Sequence, residues 1–307
     1  MHLIIPYAAF AGVPDGALQN LELPHLRQWL GQAQCIHRDE DTPDEKPSPH
    51  MPHERAWARS LGWPAMSPLP WAAWTHPTRN EPQAWITPCH WQIGMDQVVM
   101  LDPQQLSLGD EESQQLLQAM QPFLQEDRLQ VQWDSALRWH AMGNIFQDLS
   151  STSLDRVIGA NVKPWITDGH LPACLRRLQS EMQMLLYNHP INDARMARGQ
   201  LTVNSFWVHG AGQLAAPAST APDNDVVLVD ALRTPTLRGD LQAWQAAWRQ
   251  IDAQQLAPLL GRANSLSLCS ESAAHTYQQT PATWLQRVGA VFRKPDTAAT
   301  LKALIPT

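Results

Sequence analysis

The densest run of side chains able to do chemistry is Asn188-His189-Pro190-Ile191-Asn192-Asp193-Ala194-Arg195. Gly199 follows, and then Val203-Asn204-Ser205-Phe206-Trp207-Val208-His209-Gly210-Ala211-Gly212. An arginine grips a phosphate or carboxylate through two parallel N–H groups, and asparagine amides add further donors. Asn192, Arg195, Asn204 and Trp207 therefore form the candidate substrate-binding set. The same residues also suit a helix exit leading into a strand, with Asn192 capping a turn and Arg195 in a structural ion pair. Sequence weighs the two readings equally.

Other constellations are less coherent. Cys35-Ile36-His37 with His50-Met51-Pro52-His53 supplies metal-capable types at a spacing that matches no zinc finger, so exposed loop histidines are expected. Cys89 and His90 are adjacent, and adjacent residues on a strand point to opposite faces, which denies them a shared thiol chemistry. The chain has no Gly-x-Ser-x-Gly, His-Glu-x-x-His or Gly-Lys-Ser/Thr run. Gly210-Ala211-Gly212 has too few glycines for a phosphate cradle and reads as a tight turn after a strand over 205–208.

The elements that must hold these residues follow from hydrophobic periodicity. Pro172 to Tyr187 is the clearest helix, with Leu175, Leu178, Met182, Leu185 and Leu186 on one face. Leu3-Ile4-Ile5 and Val226-Val227-Leu228-Val229 read as buried strands. Leu116, Leu117, Met120 and Leu124 mark a helix that opens with acids at its positive end. Leu241, Trp244, Trp248 and Ile251 mark another, capped by Asp240. Trp284, Leu285, Val288 and Phe292 mark a last one. The stretch Arg38 to Pro52 is acidic and proline-rich and reads as an exposed loop, a candidate contact for a protein partner. Strands alternating with helices in both terminal thirds predict an α/β core over 1–80 and 171–307, with a smaller α+β domain inserted over 81–170.

Composition bounds the rest. The chain has 307 residues, a net charge of −7 and no useful Lys/Arg run, which argues against nucleic acid and anionic membrane as partners. Its 14 tryptophans are scattered along the chain, which favours packing over a sugar cleft. The four cysteines form no paired motif and suit a reducing compartment, and no apolar run approaches the length of a membrane span. A cytoplasmic protein is expected.

The run from His189 to Gly212 resembles a signature of the archaeal-type, cofactor-independent phosphoglycerate mutases, in the alkaline-phosphatase-like superfamily. There, His-Pro-(Val/Ile)-Asn-x-x-Arg-x-x-x-Gly leads into Asn-x-(Ile/Phe)-Trp-x-x-Gly-x-Gly. The resemblance implies an alkaline-phosphatase-like three-layer core with an inserted domain. It also implies two divalent ions, manganese or zinc in an active protein, and a serine that carries the phosphate. The chain departs from the family where that chemistry would sit. The first strand ends Ile4-Ile5-Pro6-Tyr7-Ala8 instead of in Asp-Gly. Ser48-Pro49-His50-Met51-Pro52-His53-Glu54 lacks the Ser-Asp pair. Only Glu271 and His275, in Ser270-Glu271-Ser272-Ala273-Ala274-His275, keep the spacing of a late metal motif, and no Asp-His pair follows. The expectation is a degenerate relative that binds a phosphorylated small metabolite and needs no cofactor. The alternative is an active mutase or phosphatase with a rearranged site built on Glu271, His275, His50 and His53.

Overall fold

The computed structural model describes residues 1–42, 46–64, 68–76, 80–167, 171–214, 226–260, 265–279 and 295–305. Its strands are β1 (His2–Ile5), β2 (Ala33–Glu40), β3 (Gln83–Cys89), β4 (Trp91–Ile93), β5 (Val98–Met100), β6 (Gln130–Ser135), β7 (Arg138–Met142), β8 (Ser205–Gly212), β9 (Val226–Leu228), β10 (Ser265–Cys269) and β11 (Ala273–Gln279). Its helices are α1 (Asp15–Gln19), α2 (Pro24–Leu30), α3 (Pro52–Ser60), α4 (Trp71–Thr75), α5 (Asp110–Glu126), α6 (Leu154–Val157), α7 (Lys163–Thr167), α8 (Ala173–Tyr187), α9 (Pro190–Ala197), α10 (Arg233–Leu237), α11 (Leu241–Ile251) and α12 (Thr297–Lys302). The chain divides into two compact units, Met1–Ala65 with Ser219–Thr307, and Met66–Ala218.

The first unit is α/β. Its mixed sheet runs β2-β11-β10-β1-β9, with β9, β1 and β10 parallel and β11 and β2 antiparallel. The apolar run of β1 is buried on both faces, as a parallel strand requires. Leu3, Ile5, Leu266 and Leu268 pack against Leu26, Trp29, Trp244, Trp248 and Leu301. Ile4, Cys269 and Ala274 pack on the other face against Ala56 of α3. Asp240 caps α11 as expected, its Oδ1 accepting from the Ala243 N–H at 2.9 Å. The helix then runs into a π-helical turn over Asp252–Leu256. That turn presents the buried Asp252 carboxylate to the start of α2, whose own N-cap residue is Leu23 and offers no side-chain acceptor. Asp252 accepts from the backbone N–H groups of Leu26 (2.7 Å) and His25 (3.2 Å), and pairs with His25 Nδ1 at 2.9 Å. One carboxylate thus satisfies orphan donors of a helix more than two hundred residues away in sequence.

The second unit is built on an antiparallel sheet in the order β6-β7-β3-β8. One face carries Ile86, Val131, Trp139, Phe206 and Val208 and is covered by Leu116, Met120 and Leu124 of α5 and Leu175, Leu178 and Met182 of α8. Trp139 donates its indole N–H to Ser113 Oγ at 2.9 Å, which settles a buried polar atom in that core. The hairpin β4–β5 packs Trp91 and Met100 with Val157, Val162, Trp165 and Trp207.

Three expectations need correction. The segment 171–214, expected in the α/β core, packs in the second unit. The apolar stripe of α8 shares its cluster with α5, and β8 pairs with β3, so the boundary at 170 cuts through one hydrophobic core. The stretch expected as a loop from Arg38 is strand as far as Glu40, because β2 extends the sheet beside β11. Two of its acids are paired within the fold: Asp39 and Asp41 with Arg55, and Asp39 also with Arg59. Finally, Gly210 is no turn: β8 continues through it to Gly212. Its φ of +60° and the 2.9 Å that an added Cβ would leave to Trp85 Cε3 require glycine there. The helix expected around Trp284–Phe292 lies outside the described residues.

Replacing Asp252 with Ala should remove the cap of α2 and lower stability by about 2 kcal/mol, given two backbone N–H bonds to a buried carboxylate. The midpoint of urea unfolding measures it, and an unchanged midpoint would contradict the capping role.

Candidate functional site

The signature corner lies in the second unit. His189 opens α9 as its N-cap, with Nδ1 accepting from the Ile191 N–H, and Pro190 occupies the first helical position, where no donor is lost. Arg195 follows one turn later and is fully buried. Its Nε donates to the Leu201 carbonyl at 2.7 Å, Nη1 to Glu112 Oε2 at 2.5 Å, and Nη2 to the Leu106 carbonyl. The second oxygen of Glu112 takes Arg198. Asn192 donates to the carbonyls of Leu186 (2.9 Å) and Val203 (2.8 Å) and accepts from the Val203 N–H (2.9 Å). Asn204 pairs edge-on with the backbone of Trp91, accepting its N–H at 2.7 Å and donating to its carbonyl at 2.9 Å. Trp207 donates to the Thr152 carbonyl at 2.9 Å. The four candidates thus converge on the segment 201–207, and each directs its polar atoms to the protein itself. The crevice beside them, lined by Ser151, Thr152, Trp165, Gln179 and Trp207, has room for about one water molecule. Glu112, which makes the corner possible, reads in the sequence only as one of three acids at a helix start.

The candidate metal residues lie in the first unit. Glu271 accepts the Ala11 N–H through Oε2 at 3.2 Å. His275, almost fully buried on β11, directs Nε2 to Glu40 Oε1 at 2.7 Å, while its buried Nδ1 has no hydrogen-bond partner. The structure therefore engages the two residues separately. At the carboxyl end of β1 stand Tyr7 and Ala8. Tyr7 takes a left-handed φ of +56° and is buried. The carbonyls of Tyr7 and Ala8 accept the indole N–H groups of Trp244 (2.9 Å) and Trp248 (3.0 Å). His53 is buried with its ring 6.2 Å from that of Tyr7. At the start of α3, Glu54 folds back onto the Met51 N–H at 3.0 Å, and Ser48 accepts from the His50 N–H. A carboxylate already fills the positive end of that helix. Among the described residues no three of His, Cys, Asp and Glu are grouped to share a cation. Among the described residues, Glu271, His275, His50 and His53 do not come together as a two-ion cage.

The cysteine reading is also settled by burial. Desolvation pushes the Cys89 and Cys269 thiols far up, so both stay protonated and inert. His90, next to Cys89, directs Nδ1 to the Thr202 carbonyl at 2.8 Å.

No protein-family model matches the chain, and no curated protein matches it. The solved structures it is similar to include two proteins. One is the cofactor-independent phosphoglycerate mutase of Thermoplasma acidophilum, at 12% identity and a TM-score of 0.36 over 100% of this chain and 99% of that one. The other is a protein of Pyrococcus horikoshii, at 12% identity and a TM-score of 0.41 over 90% and 86%.

A third group of side chains was not singled out in the sequence. It lies on the face of the second sheet turned away from α5 and α8. His140 stacks on His76 with ring centroids 4.1 Å apart, and its Nε2 donates to Gln83 Oε1 at 2.7 Å. His209 Nε2 is 3.0 Å from Thr87 Oγ1, and its ring lies 5.5 Å from that of Trp85. Burial lowers both imidazoles to about 4; His76 adds to the shift at His140, and Asp155 opposes it at His209. Alternation along β3, β7 and β8 was the available signal, since residues two apart share a face.

Two outcomes follow. Arg195→Ala should cost about 3 kcal/mol in unfolding free energy, because it leaves the Leu106 and Leu201 carbonyls without their donor while Glu112 keeps only Arg198. A loss below 1 kcal/mol in chemical denaturation would contradict the structural role. The two histidines stay neutral in the folded state down to about pH 4 but take up protons near pH 6.5 when unfolded. The unfolded state then binds more protons in that window, and stability falls as pH drops from 6.5 towards 4. His140→Gln should flatten that dependence of the unfolding midpoint on pH; an unaltered slope would count against it.

Proposed function

We propose that this chain is a phosphoglycerate mutase-like protein without two-metal phosphotransfer, acting as a binding or regulatory protein. The observation that carries this reading is the carboxyl end of β1. In open α/β sheets ligands and catalytic groups collect outside the carboxyl ends of the strands. Here that position holds Tyr7 and Ala8, with their carbonyls taken by two buried indoles. A carboxylate that holds an ion has no counterpart there. The Glu54 carboxylate at the start of α3 also repels a phosphate from the helix end that would welcome one. The phosphorylated metabolite expected at Asn192, Arg195 and Asn204 would meet donors already engaged with backbone and with Glu112.

One observation favours the second reading, an active mutase or phosphatase with a rearranged site. His275 keeps a buried Nδ1 with no hydrogen-bond partner, as a ligand of an ion would. A coupled assay converting 3-phosphoglycerate to 2-phosphoglycerate, with manganese and without 2,3-bisphosphoglycerate, separates the two. The folded protein should show no turnover. Turnover that a chelator removes and His275→Ala abolishes would establish the enzyme instead.

A further inference from the structure

The short helix α4 covers part of the polar face of the second sheet. Its residues Trp71, Ala72 and Ala73 are buried. Two glycines of β8 let it lie close: a Cβ at Gly210 would stand 3.4 Å from Trp71 Cβ, and one at Gly212 would stand 2.9 Å from Pro70 Cβ. The helix ends at His76, whose ring stacks on that of His140 with centroids 4.1 Å apart and planes at 11°. His140 is buried on β7, with Nε2 bonded to Gln83 Oε1 at 2.7 Å. Its buried Nδ1 has no hydrogen-bond partner among the described residues. A proton arriving there would find no acceptor and would lie against a second imidazole. Strand register aligns Gln132 of β6, His140, Trp85 of β3 and His209 of β8 in one row. The charged and titratable groups that face His140 are His76 from the end of α4, Asp134 from β6 and Arg138 from its own strand. From β3 it meets Gln83 and Trp85, which do not titrate. Farther along the row, His209 is influenced by Asp155 of α6 and by Arg138. Asp134 favours a proton on His140, Arg138 and His76 oppose it, and Asp134 and Arg138 also pair with each other.

We propose that α4 is a strap released by acid: protonation of the His76–His140 stack lifts it from β3 and β8 while the sheet beneath stays folded. The proton is taken up at His140 Nδ1, and water must reach that atom to solvate the charge. Two movements would admit it. The strand β7 is hydrogen-bonded on both sides, to β6 and to β3, so moving it breaks the sheet. The helix α4 is five residues long and is seated through one indole and two alanines, so lifting it disrupts far less. Release therefore precedes unfolding. Burial, and then the neighbouring His76, lower the His140 imidazole to about 4 in the closed form, against an ordinary 6.5 in water. The opened form binds more protons between those values, so falling pH favours it. The difference makes opening about thirtyfold more favourable at pH 5 than at pH 7.5. The device stands apart from the reading of the carboxyl end of β1: either can fail while the other holds.

The test is hydrogen–deuterium exchange of the full chain, read by mass spectrometry at pH 7.5 and pH 5 and corrected for the intrinsic effect of pH on exchange. The peptide that contains α4 should open about thirtyfold more at pH 5, while peptides from β3 and β7 keep their protection. His140→Gln removes the titrating ring and should make the opening of α4 the same at both pH values. His76→Phe changes a part-exposed residue, keeps a stacked ring without a second charge, and should weaken the pH dependence. If His140→Gln fails to fold, His76→Phe decides alone. Corrected exchange of α4 that ignores pH, loss of protection in α4, β3 and β7 together, or an undiminished dependence in His76→Phe would overturn the proposal.

Discussion

The second unit depends on one buried guanidinium. Removing a charge from water costs several kcal/mol per ion, and only complete pairing offsets it. Arg195 meets that condition with Glu112 and the carbonyls of Leu106 and Leu201. Those partners come from α5, from the short turn Pro103–Leu106 and from the segment leading into β8. One side chain therefore fixes where α9 ends, how α5 begins and where the last strand enters the sheet. Asn192 and Asn204 extend the same logic on either side, each replacing a stretch of backbone pairing with a side-chain amide. A set of polar residues whose types suit ligand recognition thus serves to hold an edge strand in register.

The first unit uses the same device with different chemistry. Asp252 caps α2 from a π-helical turn, and Trp244 and Trp248 cap the carbonyls after β1. Both arrangements join distant segments by satisfying backbone groups that would otherwise be buried without partners. Their consequence for chemistry is direct. At the carboxyl end of β1 these indoles take the carbonyls of Tyr7 and Ala8, and Tyr7 is held in a left-handed conformation. The tryptophans, many for a chain this size, serve here as long hydrogen-bonding anchors as well as core.

The face of the antiparallel sheet turned away from α5 and α8 carries polar groups, with Gln83, Thr87 and His140 buried in it and His76 stacked on His140. Antiparallel sheets commonly pack one face and expose the other, so half of each strand is free to carry polar groups. The row from Gln132 to His209 uses that freedom, while Ile86, Trp139 and Val208 of the same strands build the core. Burial holds the imidazoles of His140 and His209 neutral near pH 7, and Arg138 pairs with Asp134.

Sequence by itself determined the elements whose pattern is local. The stripe of α8, the cap of α11 by Asp240, the acids opening α5 and the apolar run of β1 all read correctly, because helix and strand periodicity and capping act within a few residues. It also placed Asn192, Arg195 and Asn204 at a helix-to-strand corner and held open both of their roles. Only the tertiary structure shows what these side chains pair with, since Glu112 lies 83 residues from Arg195 in sequence and nothing local announces the pair. It also moved 171–214 into the second unit, because a stripe shows that a helix buries one face but not against what. The row of Gln132, His140, Trp85 and His209 exists only through strand register, and register is a property of pairing between distant segments rather than of any one of them.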